Sequence, residues 1–157
     1  KLYELNQRSL RQYQEQRDQK SSVESAPEPS GDPEDASSPR GQRWVFNLVE
    51  EAMKKEKVYQ QAGLTLPELA ERLNVPKRNV SESINAYAGV SFPEYLNQYR
   101  IIHAMERFDD HAYDHVSIDQ ILDEVGFQSR SAFYTAFKKS CGMTPKEYRK
   151  VARRQSA

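Results

Sequence analysis

The sequence predicts an all-α fold in which two helix-turn-helix subdomains are joined by a long linker helix. Three features of the 157-residue chain point to this fold. Helix-start signatures, in which Ser or Thr is followed three residues later by Glu or Gln, recur between residues 65 and 147. Apolar residues after these signatures return every three or four positions, as on one face of a helix. One stretch of this pattern also occurs twice in tandem.

The N-terminal part of the chain differs in composition from the rest. Residues 1–20 are polar and rich in Gln, with a thin apolar stripe at heptad-like spacing, and they predict a short N-terminal helical stub. This stub is either a solvated, partly formed helix or a signalling helix that leads from an upstream sensor. Residues 21–41 hold four of the eight prolines together with Glu, Asp and Ser, which predicts a disordered acidic linker. The helical domain then occupies residues 42–157.

Helix starts and apolar stripes place the elements of this domain in order. A first helix packs across the first unit through a stripe formed by Trp44, Val45, Leu48, Val49, Ala52 and Met53. The first helix-turn-helix follows at residues 65–88, and a rigid linker helix spans residues 92–108. After a polar connection, the second helix-turn-helix occupies residues 117–140, and a last helix starts at Thr144.

The second unit shows the local signals most completely. Ser117 and Gln120 form a capping box, in which each side chain pairs with a free backbone N–H at the helix start. Gly126 follows the last apolar residue and permits the left-handed backbone that ends a helix. Ser129 can cap the next helix, on which Phe133 and Phe137 lie one turn apart. The result is the plan of a helix-turn-helix, which places its second helix in a DNA major groove.

The first unit repeats the second at an offset of 52 residues before the turn and 53 after it. The matched positions include caps, core residues, the turn and the exit glycine: Thr65 with Ser117, Glu68 with Gln120, Leu69 with Ile121, Leu73 with Val125, Asn74 with Gly126, Val80 with Phe133, Ile84 with Phe137, Gly89 with Gly142 and Tyr95 with Tyr148. Two related units therefore lie in tandem.

Together with the tandem units, a closing run of residues resembles the DNA-binding domain of the AraC/XylS family. The run consists of Gly126-Phe127, Ser131, Phe133, Phe137-Lys138-Lys139, Gly142-Met143-Thr144-Pro145 and Glu147-Tyr148-Arg149. The resemblance covers roughly residues 45–149. It implies a bacterial transcription regulator with seven helices in two helix-turn-helix subdomains.

Charge is distributed unevenly, although the formal net charge is zero. Residues 42–157 carry +2, and residues 130–157 carry +7. A local excess of this kind can neutralise DNA phosphates, although a basic solvated face is the alternative interpretation.

The second recognition helix offers the clearest candidate DNA contacts. With Phe133 and Phe137 in the core, the candidates are Ser129, Arg130, Ser131, Tyr134, Thr135, Lys138 and Lys139. Arg130 is the strongest base reader, because a guanidinium can bond a guanine edge bidentately. Lys138 and Lys139 lie further along and are expected to meet the DNA backbone. The resemblance to the family carries its base-contact positions onto Arg130, Ser131, Ala132 and Thr135.

The first recognition helix exposes Lys77, Arg78, Ser81, Glu82 and Asn85 when Val80 and Ile84 are buried. The resemblance carries base-contact positions onto Arg78, Ser81 and Glu82, but many family members have a basic residue in place of Glu82. A carboxylate there either accepts from a cytosine amino group or is repelled by phosphate. Asn74 and Pro76 also depart from the glycine and capping serine of the family. These departures favour a first unit that mainly positions the protein.

Other functional classes lack support in the sequence. It contains no phosphate-binding glycine loop, no nucleophile with a partner and no paired carboxylates, so no enzyme activity and no cofactor are expected. His103, His111 and His115 lack the spacing of metal ligands, so no metal site is expected. Cys141, the one cysteine, is expected to be semi-buried and cannot form an internal disulfide. No apolar run reaches the length of a membrane span.

The sequence therefore predicts a sequence-specific transcription regulator that binds double-stranded promoter DNA in the bacterial cytoplasm. It is expected to act either alone or as the cytosolic end of a larger or membrane-anchored regulator. Further expected partners are RNA polymerase, an upstream sensing domain or partner protein, and a second copy bound through residues 1–20. The alternative is a protein-interaction module of a signalling or transcription complex with weak DNA contact.

Overall fold

A computed structural model of the chain describes residues 38–155, which form seven α-helices and two short 3₁₀ turns. The helices are α1 (Pro39–Lys54), α2 (Leu66–Leu73), α3 (Lys77–Ala88), α4 (Phe92–Asp109), α5 (Ile118–Glu124), α6 (Arg130–Cys141) and α7 (Pro145–Gln155). The 3₁₀ turns are Val58–Gln60 and His111–Tyr113. The described residues contain no strand, and the predicted all-α architecture with two helix-turn-helix subdomains is confirmed. The predicted stub at residues 1–20 lies outside the described residues, as does most of the predicted linker.

Helix α1 begins earlier than the sequence predicts. The predicted disordered segment ends at residue 41, whereas α1 starts at Pro39, with the Ser38 side chain accepting a hydrogen bond from the Gly41 backbone N–H at 3.1 Å. A proline in the first helical turn removes an N–H that has no partner within the helix, so Pro39 favours a helix start here. The boundary at residue 41 is therefore wrong by three residues.

The first of two hydrophobic cores lies between α1, the 3₁₀ turn Val58–Gln60, α2, α3 and the first half of α4. The predicted stripe of α1 supplies Val45, Val49 and Met53, each with no exposed surface. Val80 and Ile84 of α3 are equally buried, as the sequence predicts. The opposite face of α3 is thereby turned away from the core.

The second core lies between the second half of α4, α5, α6 and α7. Phe133 and Phe137 are fully buried, and the rings of Phe137 and Tyr148 meet edge to face at 5.4 Å between centroids. Cys141 is also fully buried, and not semi-buried as predicted, with its Sγ 3.5 Å from Met105 Sδ. Burial raises the pKa of the Cys141 thiol to about 12. The thiol therefore stays protonated and packs as a small apolar group.

The linker helix α4 belongs to both cores. It is 18 residues long and ends at Asp109, one residue beyond the predicted end. Tyr95 and Leu96 near its start pack in the first core, whereas Ile101 and Phe108 pack in the second. At a rise of about 1.5 Å per residue, the helix is about 27 Å long. Both units are thus mounted on one continuous helix.

Side-chain caps fix the starts of α2, α4, α5 and α7. Capping boxes form as the sequence predicts at Thr65 with Glu68, Ser91 with Glu94 and Ser117 with Gln120. A fourth forms at the predicted start of the last helix, between Thr144 and Glu147. Hydrogen bonds from Thr65, from Lys139 and Ser91, and from Thr144 lower the pKa values of Glu68, Glu94 and Glu147, respectively. These three boxes therefore depend on an ionised carboxylate.

Candidate nucleic-acid interface

The turn of the first unit adopts helix-turn-helix geometry despite its unusual residues. Asn74 takes the left-handed conformation at φ 53°, and its N–H bonds back to Ala70 O and Glu71 O. Asparagine enters this region more readily than most residues, so it can occupy this turn in place of glycine. Pro76 precedes α3 without a side-chain cap, and the Pro76 carbonyl accepts from the Val80 N–H at 3.2 Å.

The exposed face of α3 carries all five predicted candidates. Lys77, Arg78 and Asn85 are exposed, whereas Ser81 and Glu82 are partly exposed. Arg78 Nε donates to Glu82 Oε1 at 2.7 Å, one helical turn further along. This ion pair raises the pKa of Arg78, chiefly through the hydrogen bond. The sequence predicts that Glu82 either accepts from a cytosine or is repelled by phosphate, and neither role includes this pair. In the structure, the Glu82 carboxylate is neutralised by an arginine of its own helix.

The exposed face of α6 carries the candidates of the second unit. Six of these side chains are exposed: Ser129, which directly precedes α6, and Arg130, Ser131, Thr135, Lys138 and Lys139. Tyr134 is partly buried, with its ring at right angles to that of Phe133. The Ser129 hydroxyl accepts from the Ala132 N–H at 3.0 Å, which confirms the predicted helix cap.

Arg130 is held in place by two neighbours. Its Nε lies 3.4 Å from Asp119 Oδ1 on α5, and its guanidinium carbon lies 5.6 Å from the centre of the Tyr134 ring. A hydrogen bond with Tyr134 and the charge of Asp119 raise the pKa of Arg130. The side chain remains largely exposed, at 65%. The Arg130 guanidinium at the start of α6 is thus exposed to solvent, while its contacts with Asp119 and Tyr134 limit the positions that it can take.

Lys139 connects the two units. Its Nζ lies 2.9 Å from Glu94 Oε1 in the first turn of α4, and this hydrogen bond is the main cause of the low pKa of Glu94. Because α4 starts shortly after α3 ends, the last turn of α6 lies close to the exit of the first recognition helix. Sequence reasoning assigned Lys139 to the DNA backbone and missed this partner, which is 45 residues away.

A close backbone approach joins the turn of the second unit to the 3₁₀ turn Val58–Gln60. Gly126 has φ +94°, and a Cβ placed there would lie 2.6 Å from Tyr59 O and 2.8 Å from Gln60 O. No real Cβ comes so near a backbone oxygen, so a side chain at this position would force the two segments apart. Glycine is therefore required at this position both by the left-handed turn and by the close contact between the two units.

Arg100 of the linker helix reinforces the same junction. Its Nε donates to Tyr59 O at 2.7 Å, and its Nη2 donates to Gln61 O at 2.9 Å. Its guanidinium also lies over the ring of Phe127, at 5.5 Å from the centroid. Burial lowers the pKa of Arg100 to about 10. One buried side chain therefore contacts a loop of the first unit and an aromatic residue of the second.

His103 lies beside this contact, one turn along α4. Its Nδ1 faces Tyr59 Oη at 3.4 Å and Gln60 Nε2 at 3.3 Å, and its Nε2 lies 3.7 Å from Glu124 Oε1. Arg107 binds the same Glu124 oxygen at 2.6 Å. Burial, followed by the charge of Arg107, lowers the pKa of His103, which favours a neutral ring at pH 7. The histidine thus has a structural role between the two units.

Part of the basic C-terminal excess is used inside the domain. Arg149 Nη2 donates to the Tyr113 carbonyl at 2.6 Å, and Arg153 Nε lies 2.8 Å from Asp114 Oδ1. These bonds attach α7 to the 3₁₀ turn His111–Tyr113 and its flanking residues. The +7 charge of residues 130–157 therefore overstates the charge that is free to meet phosphates.

Comparison with known proteins identifies the family of the domain. A family profile described as "Helix-turn-helix domain" matches residues 69–151, which is more than half of the chain. The transcriptional regulatory protein HptR of Staphylococcus aureus is 31% identical over 93 residues, which make up 59% of this chain and 35% of HptR. The chain thus spans about a third of the length of the curated relatives it matches.

Solved structures agree with this match. The C-terminal domain of AraT, a response regulator from Geobacillus stearothermophilus, is similar with a TM-score of 0.57 and 32% identity, covering 73% of this chain and 86% of that one. A transcriptional regulator from Chromobacterium violaceum, described as having an AraC-type DNA-binding domain, shares the fold with a TM-score of 0.56 at 20% identity, covering 72% of this chain and 95% of that one. None of the described helices is long and apolar enough to cross a membrane. The chain belongs to the AraC/XylS family of helix-turn-helix DNA-binding transcription regulators.

Proposed function

We propose that the domain reads double-stranded promoter DNA with α3 and α6 lying in adjacent major grooves on one face of the duplex. The observation that carries this proposal is the repeated unit, since each copy exposes the polar face of its second helix and both copies are fixed to α4. DNA completes one turn in about 34 Å, and a rigid spacer about 27 Å long is of a suitable size to serve two neighbouring grooves.

Base reading is assigned to the exposed guanidinium groups of the two recognition helices. Arg78 and Arg130 each lie in the first turn of their helix, the part that contacts base edges in helix-turn-helix proteins. Lys77, Lys138 and Lys139 carry charges that suit phosphate contacts. The other residues proposed at the interface are uncharged, with one exception: Glu82, which is paired with Arg78. The uncharged ones are Ser81, Asn85, Ser129, Ser131, Tyr134 and Thr135.

The junction between the units supports simultaneous contact by both helices. Gly126, Arg100 and the Lys139–Glu94 pair each connect one unit to the other or to the start of α4. A rigid pair of units loses less conformational entropy on binding two grooves than a flexible pair does. One chain is therefore suited to an asymmetric site with two boxes in tandem.

Selection of bound sites from a random DNA pool tests this proposal. We expect a motif of two boxes separated by about one turn of DNA, and affinity that falls steeply with salt as counterions are released. A motif with one box would remove one unit from the readers. Failure of the isolated domain to retard any duplex at low salt would refute DNA binding altogether.

The rival function is a protein-interaction module with weak DNA contact. Glu82 and the zero net charge favour this rival, but the Arg78–Glu82 pair weakens the first argument because the carboxylate has a partner on its own helix. Binding to a polymerase subunit or a sensor protein without retardation of DNA would support the rival.

The longer regulator is also proposed from its relatives. HptR is named as a regulatory protein and AraT as a response regulator, and this chain matches about a third of HptR. We infer that the helical domain that begins at Pro39 forms the DNA-binding effector part of a regulator. This regulator receives its signal from a sensing domain or partner protein in the bacterial cytoplasm. RNA polymerase contact, activation of transcription and pairing of two chains through residues 1–20 belong to the same proposal.

A further inference from the structure

The ion pair on the first recognition helix has a geometry that matters for base reading. Arg78 is in the first turn of α3, and Glu82 is one turn later on the same face. The contact uses Arg78 Nε and Glu82 Oε1 at 2.7 Å. The Arg78 side chain is 84% exposed, whereas the Glu82 side chain is 37% exposed. The less exposed carboxylate thus holds a guanidinium that points into solvent.

Because Glu82 binds the Nε of Arg78, the other N–H donors of the guanidinium remain available to a base. A guanidinium has five N–H donors, and Nε supplies one of them. Among residues 38–155, the Arg78 guanidinium bonds to Glu82 and to no other side chain or carbonyl. Both terminal amino groups are therefore left to face outwards together. That edge matches the O6 and N7 acceptors of guanine in the major groove.

The second recognition helix has a comparable arrangement. The recurrence argues against a chance origin of the Arg78–Glu82 pair on α3. The Nε of Arg130 also faces a carboxylate, that of Asp119 at 3.4 Å, although this partner comes from α5. Each unit thus presents one arginine in the first turn of its recognition helix, with a carboxylate at Nε.

The charge of the pair also explains how an acidic residue is tolerated on this face. A lone carboxylate near a phosphate backbone is repelled, but Glu82 and Arg78 together carry no net charge. The pair therefore adds little to general attraction for DNA.

We infer that Glu82 is a specificity-determining residue that positions Arg78 to bond a guanine with its two terminal amino groups. Glu82 acts through Arg78 and touches no base itself in this arrangement. The inference rests on the proposed function, since it requires α3 to lie in a major groove. It predicts a preference for a G·C pair opposite the first turn of α3.

Single and double substitutions test this role, with binding measured on a selected site and on variants of the base pair opposite Arg78. Arg78→Ala removes the preference at that base pair. An exposed ion pair shifts a side-chain equilibrium by at most about fivefold, so we expect Glu82→Ala to reduce the preference by about two- to fivefold. In an Arg78→Ala background, Glu82→Ala has no further effect on discrimination.

Glu82→Gln separates positioning from charge. Gln and Ala remove the same negative charge, but the Gln amide oxygen can still accept from Arg78 Nε. We therefore expect Glu82→Gln to keep more of the base preference than Glu82→Ala does. The matched control is Glu51→Gln on α1, which removes one charge from an exposed pair of the same spacing with Lys55, the residue directly after that helix. This control is expected to leave base preference unchanged.

The outcomes distinguish this inference from the function on which it rests. Equal tightening on all sequences by Glu82→Ala and Glu82→Gln would show that only charge matters, and the inference would be overturned while DNA reading stands. A selected motif without any preference opposite α3 would overturn it as well. Absence of binding to every duplex at low salt would instead refute the proposed function.

Discussion

Replacement of Gly126 by alanine tests the close approach between the two units. The substitution adds one methyl group at a residue with φ +94°, where the methyl carbon would lie 2.6 Å from Tyr59 O and 2.8 Å from Gln60 O. Both obstacles are backbone atoms, so rotation of a flexible side chain cannot relieve the contact. The 3₁₀ turn Val58–Gln60 and the α5–α6 turn would have to separate.

Gly89 provides a matched control for the backbone part of the cost. It has φ +70° at the end of α3, and a Cβ there would meet no atom within 4 Å. Gly89→Ala should therefore cost only the strain of a left-handed alanine, about 1 to 2 kcal/mol. Overpacking of a close contact adds about 1 to 3 kcal/mol. We expect the free energy of unfolding to fall by about 2 to 5 kcal/mol for Gly126→Ala.

Urea denaturation followed by circular dichroism measures both costs, with the free energy of unfolding obtained by linear extrapolation. The informative quantity is the difference between the two variants, because the backbone strain is common to both. Equal losses for Gly126→Ala and Gly89→Ala would refute the argument that the turn of the second unit is fitted against the first.

Three further predictions concern the recognition face, the junction and the helix caps. Arg130→Ala should cost about 1 to 3 kcal/mol in binding and relax the preference at one base pair, whereas Lys139→Ala should weaken binding to specific and random DNA alike. Titrations on both DNAs check this, and equal losses of affinity on the two DNAs for Arg130→Ala would show that Arg130 does not read a base. Arg100→Met should lower the free energy of unfolding by about 1 to 3 kcal/mol, because the buried Tyr59 carbonyl and the partly buried Gln61 carbonyl lose a charged donor. A loss below about 0.5 kcal/mol in urea denaturation would contradict this. Gln120→Glu should make the domain more sensitive to acid, because the carboxylates in the other capping boxes have lowered pKa values and stabilise the fold only when they are ionised. The stability that the new carboxylate adds is present above the usual glutamate pKa of 4.5, and it is lost as the pH falls through the lowered pKa. Thermal unfolding from pH 6 to 3 measures it, and an acid response identical to that of the parent domain would count against it.

Local signals explain why so much of the fold was predictable. A capping box involves residues three positions apart, and a buried stripe involves residues three or four apart, so both can be read from a short window. Ser117 with Gln120 and Phe133 with Phe137 illustrate this, and the structure confirms the cap and the buried pair. The start of α1 at Pro39 was missed because proline was interpreted only as a linker residue.

The junction between the units was not predictable in the same way. Arg100 bonds to Tyr59 O, 41 residues away, and Lys139 bonds to Glu94, 45 residues away. Such contacts depend on how whole helices pack, which no local spacing encodes. Gly126 was assigned to a helix end on local grounds, and its second role at a backbone contact appears only in three dimensions.

The candidate site falls between these cases. Its exposed faces follow from the buried residues on the same helices, so the set of side chains on α3 and α6 was within reach of the sequence. The Arg78–Glu82 pair was also visible as a spacing of four, a separation at which opposite charges meet on a helix. The pair was not predicted because Glu82 was considered only in relation to DNA and not to Arg78, its neighbour on the helix.

A spacer made of continuous helix fixes phase as well as distance. Insertion of about five base pairs between two boxes would turn the second box to the far side of the duplex, and insertion of about ten would return it to the same side but one turn further away. Units on a slack tether would recover binding at the longer insertion. Units that share α4 as part of both their cores should not recover it, since the helix cannot lengthen without losing packing in one core.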